Sequence, residues 1–184
     1  KLPELPEAKR DRFVKEYDIT EYDAHVLTLD KAISDYFDAG AKLVKTPKLL
    51  ANWIISELLR ELSDAKITID QCKITPELLA EMVSMIEKGT INGKIAKTVF
   101  AEMFQSGKTP QVIVKEKGLS QVSDESAIEA FVDQAIADNQ PQVQQYLDGN
   151  PKIIQYFVGQ VMKLSRGKAN PQMVVQLLKK KLDA

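Results

Sequence analysis

The sequence has few of the residues from which small catalytic and metal centres are usually built. Its 184 residues include one cysteine, Cys72, and one histidine, His25. A thiol nucleophile needs a nearby base, and a structural zinc site needs four ligands that are mostly Cys and His. The residues therefore support neither kind of site, and we assign no catalytic or metal-binding residue. A single cysteine also excludes an internal disulfide, which suits a reducing cytosol.

Glycine and long apolar runs are scarce as well. The eight glycines are too scattered for a P-loop or a dinucleotide-binding loop. No apolar run approaches the roughly 20 residues of a membrane-spanning helix, and no signal peptide is visible. We therefore expect a cytoplasmic protein with no membrane partner. Because the chain starts with Lys1 rather than Met, we also expect it to be a fragment of a longer protein.

The overall composition is that of an ordinary globular protein, with 44% hydrophobic and 28% charged residues. The formal net charge is −1, so the whole chain is not a general binder of polyanions. Any nucleic-acid role requires a local basic patch. Acidic pairs such as Asp35/Asp38 and Glu57/Glu61 are typical of a solvated helix face.

Helix boundaries are marked unusually clearly. Five polar residues stand directly before a proline, which is typical of an N-cap followed by the first helical residue. Four glycines stand where helices are expected to end. Apolar residues between these marks recur every three or four positions, and Leu50, Ile54, Leu58 and Leu62 predict a central helix. Only residues 67–69 give a weak strand signal, so we predict an all-α fold. The pairs are Thr46-Pro47, Thr75-Pro76, Thr109-Pro110, Asn150-Pro151 and Asn170-Pro171, and the glycines are Gly40, Gly89, Gly118 and Gly149.

A polar segment at residues 121–126 is the candidate domain boundary. We predict a helical domain over residues 1–122 and a smaller tail domain of three to four helices over residues 123–184. From Gly149 onward the tail has seven basic residues and one acidic residue, Asp183. Positive charge is therefore concentrated at one end of the chain.

One predicted face of the helix after Pro151 carries cations, an aromatic residue and a glycine. These residues step by four, three, four and three positions, so they share the side opposite the apolar face. Cations bind phosphates, a tyrosine stacks on a base or sugar, and a glycine lets another backbone approach closely. The alternative is a solvated basic face on which the glycine serves helix packing. The stripe consists of Lys152, Tyr156, Gly159, Lys163 and Arg166.

Three further basic features are candidates for binding an anion. The link at residues 165–171 places Lys168 before the free N–H groups of the next helix, although Asn170 acting as a plain cap is the alternative. Lys179–Lys181 close the last helix, where cations also stabilise the helix C-terminus. Lys94 and Lys97 lie in the first turn of a predicted helix, where cations are mildly unfavourable unless an anion is nearby. Solvated lysines remain the alternative there.

Five short segments stand in a recognisable order: LPELPEAKR at 2–10, LANWI at 50–54, NGKIAK at 92–97, GKANP at 167–171 and LLKKKL at 177–182. Together they resemble the C-terminal part of the B subunit of the aspartyl/glutamyl-tRNA amidotransferases, the GatB/YqeY family. The resemblance covers essentially the whole chain.

This resemblance implies a share in a glutamine-hydrolysing, ATP-dependent ligase of protein biosynthesis. The family's enzyme converts Glu-tRNA(Gln) to Gln-tRNA(Gln), or Asp-tRNA(Asn) to Asn-tRNA(Asn). In this heterotrimer the A subunit is the glutaminase, and the C subunit wraps around the other two. ATP and metal ions belong to an N-terminal cradle of the B subunit, so we expect no cofactor in these residues. The C-terminal helical domain and the YqeY-like tail grip tRNA(Gln) or tRNA(Asn).

On this basis we expect tRNA contact at the level of the basic patch. Two alternatives stay open: a protein-docking or scaffold module whose basic face meets an acidic partner, and a stand-alone YqeY-like protein. Salt-dependent binding to tRNA distinguishes the first expectation from a docking module. The candidate tRNA-binding residues are Lys94, Lys97, Lys152, Tyr156, Lys163, Arg166, Lys168, Asn170, Lys179, Lys180 and Lys181.

Overall fold

The computed structural model describes residues 4–122 and 125–183. These residues contain helices and no strand, only an isolated parallel bridge between Val122 and Ala169, so the predicted all-α fold is confirmed. None of the described helices has the length and apolarity required to span a membrane. The helices are α1 Pro6–Tyr17, α2 Glu21–Thr28, α3 Lys31–Ala41, α4 Pro47–Trp53, α5 Leu59–Ala65, α6 Pro76–Glu87, α7 Gly93–Ser106, α8 Pro110–Lys117, α9 Glu125–Asp138, α10 Gln140–Leu147, α11 Ile154–Leu164 and α12 Pro171–Leu182.

The predicted central helix is present, with an irregular middle. A π-helical segment, Ile54–Leu58, joins α4 to α5 without a break. Leu50, Ile54 and Leu58 are completely buried, as their spacing predicts. The weak strand signal at residues 67–69 corresponds to no strand: Thr68 is extended, but Ile69–Gln71 form a 3₁₀ turn.

The cap signals before proline are correct in part. Thr75 Oγ1 accepts a hydrogen bond from Leu78 N at 3.3 Å, as an N-cap does. The side chains of Thr46 and Asn150 form no such bond, and Asn150 precedes a 3₁₀ turn, Pro151–Ile153. A threonine or asparagine before proline therefore marks where a helical turn starts more reliably than it predicts a side-chain cap.

Gly40 does not end a helix as predicted. It lies inside α3 with an ordinary helical φ, whereas Gly89, Gly118 and Gly149 do have positive φ angles. A Cβ atom built on Gly40 would lie 2.9 Å from Leu50 Cδ2 and 3.5 Å from the Pro76 carbonyl oxygen. The glycine is needed for close packing of α3 against its neighbours.

The chain divides into two compact units. Unit 1 takes the described residues up to Lys88 together with Thr98–Glu116, and unit 2 takes Gly89–Lys97 together with the described residues from Lys117 onward. Helix α7 therefore contributes residues to both units. The domain boundary that we predicted between residues 122 and 123 stays a prediction, but the compact units are divided elsewhere.

Within unit 1, an ion network joins α1 to α3. Arg12 Nη1 lies 3.0 Å from Asp38 Oδ1, and the Tyr17 hydroxyl donates a 2.5 Å hydrogen bond to the same carboxylate. Burial alone would raise the pKa of Asp38, but hydrogen bonds from Arg12, Tyr17 and Lys42 outweigh it and lower this pKa. Burial and the bond to Asp38 raise the pKa of Tyr17 to about 12. Asp38 therefore belongs to a half-buried network and not to the solvated face that its spacing indicates.

Unit 2 has a hydrophobic core of its own. It is formed mainly by α9, α11 and α12, whose apolar faces meet. The predicted apolar face of α11 is confirmed, because Phe157 and Val161 are completely buried. Burying one such side chain contributes about 1.5–3 kcal/mol, so the core fixes which face of α11 points to solvent. Its fully buried members include Ile128, Val132, Phe157, Val161, Ala169, Val174 and Leu178.

Candidate nucleic-acid interface

The basic stripe of α11 lies on the solvent side, as its spacing predicts. Lys152, in the preceding 3₁₀ turn, is exposed, and so are Tyr156, Gly159, Lys163 and Arg166. The side chains of Lys163 and Arg166 form no ion pair and no hydrogen bond with any residue that the structure describes. Their charges are available to an external anion.

The aromatic member of this stripe is held by its neighbours. The Tyr156 hydroxyl donates a 2.6 Å hydrogen bond to Asn139 Oδ1, and the ring packs edge-on against Phe157 at 5.7 Å between centroids. The side chain remains 37% exposed. Tyr156 therefore presents a fixed aromatic surface next to the cations of α11.

The glycine of the stripe has no packing role among the described residues. A Cβ built on Gly159 would have no atom within 4 Å. Glycine in a helix interior costs about 1 kcal/mol relative to alanine. The alternative that Gly159 serves helix packing is therefore wrong, and the surface over this residue is open to a ligand.

The loop after α11 has an unusual backbone. Arg166 and Gly167 both have left-handed φ angles, of 54° and 76°. The N–H of Gly167 donates to the Met162 carbonyl at 2.7 Å, which closes the helix in the manner of a Schellman motif. The buried Ser165 hydroxyl accepts from Ala169 N at 3.2 Å. The loop thus holds Arg166 and the half-buried Lys168 on either side of Gly167.

Asn170 acts as the cap of α12. Its Oδ1 accepts hydrogen bonds from Gln172 N at 3.0 Å and from Met173 N at 3.5 Å. Two of the N–H groups that we expected to bind an anion are therefore already satisfied within the fold. The geometry supports the plain-cap alternative, and only the side-chain amide nitrogen of Asn170 is left for a contact with RNA.

Two segments that lie far apart in the sequence, at residues 92–97 and 165–171, come together in unit 2. Asn92 Nδ2 donates a 3.2 Å hydrogen bond to the carbonyl oxygen of Gly167, 75 positions later. The exposed Lys94 lies over Gly167, because a Cβ built on that glycine would be 3.3 Å from Lys94 Nζ. Lys97 is exposed on the same helix. We call the set Lys94, Arg166, Gly167 and Lys168 the loop cluster.

The segment that precedes α9 is hydrogen-bonded to the same loop through Val122. Val122 N donates to Lys168 O at 2.7 Å, and Asn170 N donates to Val122 O at 3.0 Å. Gln121 N donates to Thr90 O at 2.7 Å. Residues 121 and 122 of the predicted boundary are therefore hydrogen-bonded to residue 90 and to the loop after α11. Residues 123 and 124 of that boundary lie outside the described part.

The lysines at the end of α12 are not equivalent. Lys179 and Lys180 are exposed. Lys181 is half-buried, and its Nζ lies 2.6 Å from Asp133 and 2.8 Å from Glu129, both on α9. These hydrogen bonds, that to Asp133 first, raise the pKa of Lys181. Lys181 therefore joins α12 to α9, which argues against the phosphate contact that we expected from it.

No catalytic centre is apparent in residues 4–122 and 125–183. These residues contain no group of three or more His, Cys, Asp or Glu side chains that could hold a metal ion. The thiol of Cys72 is half-buried, and burial raises its pKa, which disfavours the reactive thiolate. A cavity of about 770 Å³ beside α3 contains Asp30 and Asp35. However, Asp30 caps α3, and Asp35 pairs with Lys9 and Lys31.

Asn92 and Gly167 were not among the predicted site residues. Asn92 Oδ1 accepts a hydrogen bond from Ile95 N at 2.9 Å, and this capping role is visible in the sequence as an asparagine just before a helix. Its second bond, to Gly167, joins positions far apart in the chain, and no local pattern predicts such a contact.

Comparison with known proteins gives one consistent result. The family model described as GatB domain matches residues 35–182. The chain is 54% identical over 181 residues to the B subunit of the aspartyl/glutamyl-tRNA(Asn/Gln) amidotransferase of Carboxydothermus hydrogenoformans, which covers 98% of this chain. The same-named proteins of Geotalea uraniireducens and Rickettsia felis are 51% and 49% identical over 99% and 100% of it. The chain spans 38% of the length of each of these relatives.

Proposed function

The chain belongs to the GatB domain family, and from this membership we propose that it is the tRNA-binding C-terminal part of the B subunit of an aspartyl/glutamyl-tRNA(Asn/Gln) amidotransferase. It holds tRNA(Gln) or tRNA(Asn) by shape and backbone while other parts of the enzyme amidate the aminoacyl group. The A and C subunits assemble with it through the full-length protein. The ATP and metal chemistry belongs to residues outside this chain.

The observation that supports this proposal best is the set of free cations at the end of α11. Lys163 and Arg166 are exposed, Lys168 follows in a fixed loop, and none of the three side chains is neutralised by a described carboxylate. Arginine binds two phosphate oxygens at once, and lysine supplies a mobile point charge. Protein contacts with structured RNA are made largely to phosphates and 2′-hydroxyls, which suits such a surface.

The acidic residues of unit 2 do not cancel this charge. Glu125, Glu129 and Asp133 follow one another at four-residue intervals on α9, and the last two bind Lys181. The cations of α11 and its following loop have no such partner among the described residues. An approaching polyanion therefore meets uncompensated positive charge on one face of this unit.

A gel-shift experiment with the whole chain tests the proposal. The chain should retard tRNA(Gln) and an unrelated tRNA, and binding should weaken more than tenfold between about 50 mM and 200 mM salt. Replacing Lys163, Arg166 and Lys168 together by alanine should raise the Kd by roughly 100-fold, if each contact contributes about 1 kcal/mol. The slope of log K against log salt should fall by about two to three.

A matched variant controls for net charge. Lys15, Lys48 and Lys115 are exposed on helices of unit 1 and have no ion pair with a described residue, so their joint replacement by alanine removes the same charge. This control should keep more affinity than the tail variant. Equal losses would contradict a localised interface. A chain that binds an acidic protein but retards no tRNA at low salt would support the docking-module alternative.

A further inference from the structure

We propose that Asn92 is a positioning residue of the tRNA-contact surface, and that it holds the Arg166–Lys168 loop in its binding conformation through the carbonyl of Gly167. This inference rests on the proposed function. It makes the start of α7 part of the tail's interface, with Lys94 as a third cation of the loop cluster.

The oxygen and the nitrogen of the Asn92 side-chain amide form two different hydrogen bonds. Oδ1 accepts from Ile95 N at 2.9 Å and so caps α7. Nδ2 donates to Gly167 O at 3.2 Å. The side chain is therefore fixed by a rigid helix at one end and fixes the loop at the other. A residue that only caps a helix would not need the second bond.

The loop needs such a constraint because its backbone is strained. A non-glycine residue in the left-handed region costs about 1–2 kcal/mol, and Arg166 has a φ of 54°. On the far side of Gly167, the peptide of Lys168 is held by the 2.7 Å bond from Val122. Between these two residues, Asn92 is the side chain that anchors the carbonyl of the Gly167–Lys168 peptide. The bonds from Arg166 N and Gly167 N to the end of α11 close the helix, and the Asn92 bond adds a constraint on the peptide that follows Gly167. Without it, this peptide can rotate and shift the loop, which would redirect the Arg166 guanidinium.

Gly167 also makes room for Lys94. A Cβ at residue 167 would be 3.3 Å from Lys94 Nζ and 3.7 Å from its Cδ. The lysine stem therefore runs across the glycine, and its ammonium group ends close to the loop that carries Arg166 and Lys168. Three cations from two distant segments are thus gathered where phosphates of one RNA strand can reach them together.

The variant Asn92→Ser separates the two roles. Serine keeps an oxygen that caps α7, but it is too short to donate to Gly167. We expect the Kd for tRNA to rise by roughly three- to tenfold. We also expect the salt slope to fall by about one although no charge has been removed, because a misplaced Arg166 no longer neutralises a phosphate. A merely structural cap would not change this slope.

Two further variants make the result decisive. Asn52→Ser makes the same replacement at an exposed position of α4 in unit 1 and should leave affinity and slope unchanged. Asn92→Asp keeps both size and cap but turns the donor into a carboxylate facing a carbonyl. It should weaken binding at least as much as Asn92→Ser. Thermal unfolding of each variant shows whether the fold is retained, and Asn92→Asp serves where Asn92→Ser does not fold.

A double-mutant cycle with Arg166→Ala tests whether Asn92 acts through Arg166. If it does, Asn92→Ser should add little to the loss caused by Arg166→Ala alone. Additive losses, or an unchanged slope in folded Asn92→Ser, would overturn the inference. They would leave the proposed function intact, provided that the wild-type chain and the Lys163, Arg166 and Lys168 variant behave as expected. Failure of the wild-type chain to bind any tRNA would overturn both.

Discussion

Gly159 is a glycine inside a helix with open space around it. It occupies the interior of α11, where glycine is unfavourable, and no described atom lies near the position of a Cβ. Nothing inside the described fold therefore accounts for the choice of residue. A ligand backbone that lies against α11 would account for it, because only glycine permits so close an approach.

The variant Gly159→Ala should therefore separate stability from binding. We expect the free energy of unfolding in urea to rise by about 0.5–1 kcal/mol, because alanine favours the helix. We expect the affinity for tRNA to fall by several-fold in the same gel-shift assay, because the methyl group occupies the open surface between Tyr156 and Lys163. An unchanged affinity in the stabilised variant would show that RNA does not approach this point.

Alanine at position 40 should instead destabilise the protein, because neighbouring atoms already occupy the space next to Gly40. The methyl group in Gly40→Ala would meet Leu50 Cδ2 at 2.9 Å inside the core of unit 1. We expect a loss of about 1–3 kcal/mol in the free energy of unfolding, which is typical of overpacking. Gly93→Ala, where a Cβ meets nothing within 4 Å, is the control and should cost little. A neutral Gly40→Ala would mean that the Leu50 side chain moves aside without penalty.

At the scale of elements, α1 is held to α3 by a carboxylate whose pKa is lowered. Asp38 is ionised in the folded state to a lower pH than in the unfolded state, where its pKa is about 3.9. The stabilisation is therefore present above about pH 4, and it is lost as the pH falls through the lower folded-state pKa. As the pH falls below about 4, Asp38 becomes protonated in the unfolded state first, and this lowers the free energy of unfolding before Asp38 is protonated in the fold.

The lowered pKa of Asp38 can be tested by denaturation at two pH values. Between pH 6 and about pH 3, the wild-type chain should lose more free energy of unfolding than Asp38→Asn does, by about 1 kcal/mol. At pH 6 the variant should be the less stable of the two, because Arg12 and Tyr17 lose a charged partner. Asp64→Asn removes the same charge from an exposed position and controls for net charge. Parallel pH profiles for wild type and Asp38→Asn would contradict the assignment.

The sequence predicts elements well where the signal is local. The Thr75-Pro76 and Asn170-Pro171 pairs mark helix starts, and the three-to-four spacing of Phe157 and Val161 predicts the buried face of α11. The same spacing places Lys163 and Arg166 on the solvent side. These features depend on neighbours within a turn or two, and such neighbours can be read directly from the chain.

What the sequence does not predict is which distant residues meet. The bond from Asn92 to Gly167 and the pairing of Lys181 with Asp133 depend on how helices pack. Packing is decided by the sum of many weak contacts, so no short pattern encodes it. Lys94 and Lys168 were both expected in the interface, but their presence in one cluster follows only from the fold.

At the scale of the whole molecule, the compact units do not coincide with consecutive stretches of chain. Unit 2 draws on Gly89–Lys97 as well as on the residues after Lys117. The chain therefore passes between the units at residues 88–89, 97–98 and 116–117. A tail fragment that begins at residue 117 therefore lacks residues 89–97 of unit 2.

Tail fragments should differ in stability according to whether they contain the segment before α9. A fragment of residues 117–184 keeps Val122, whose backbone bonds both Lys168 and Asn170, whereas a fragment of residues 125–184 loses both bonds. At about 1 kcal/mol for each bond, the shorter fragment should melt roughly 10 °C lower. Circular dichroism melts of the two fragments provide the measurement. Equal melting temperatures would show that the bridge at Val122 contributes nothing to the tail.

The interleaving also governs how tails could be exchanged between relatives. A chimaera joined once, at residue 122, would combine the recipient's Thr90, Asn92 and Lys94 with the donor's counterparts of residues 165–170. The binding properties of the transplanted tail would then depend on hydrogen bonds between residues that come from two different proteins. A faithful graft has to carry two pieces together, residues 89–97 and residues 117–183, because a tail moved in one piece leaves behind the residues that support its own loop.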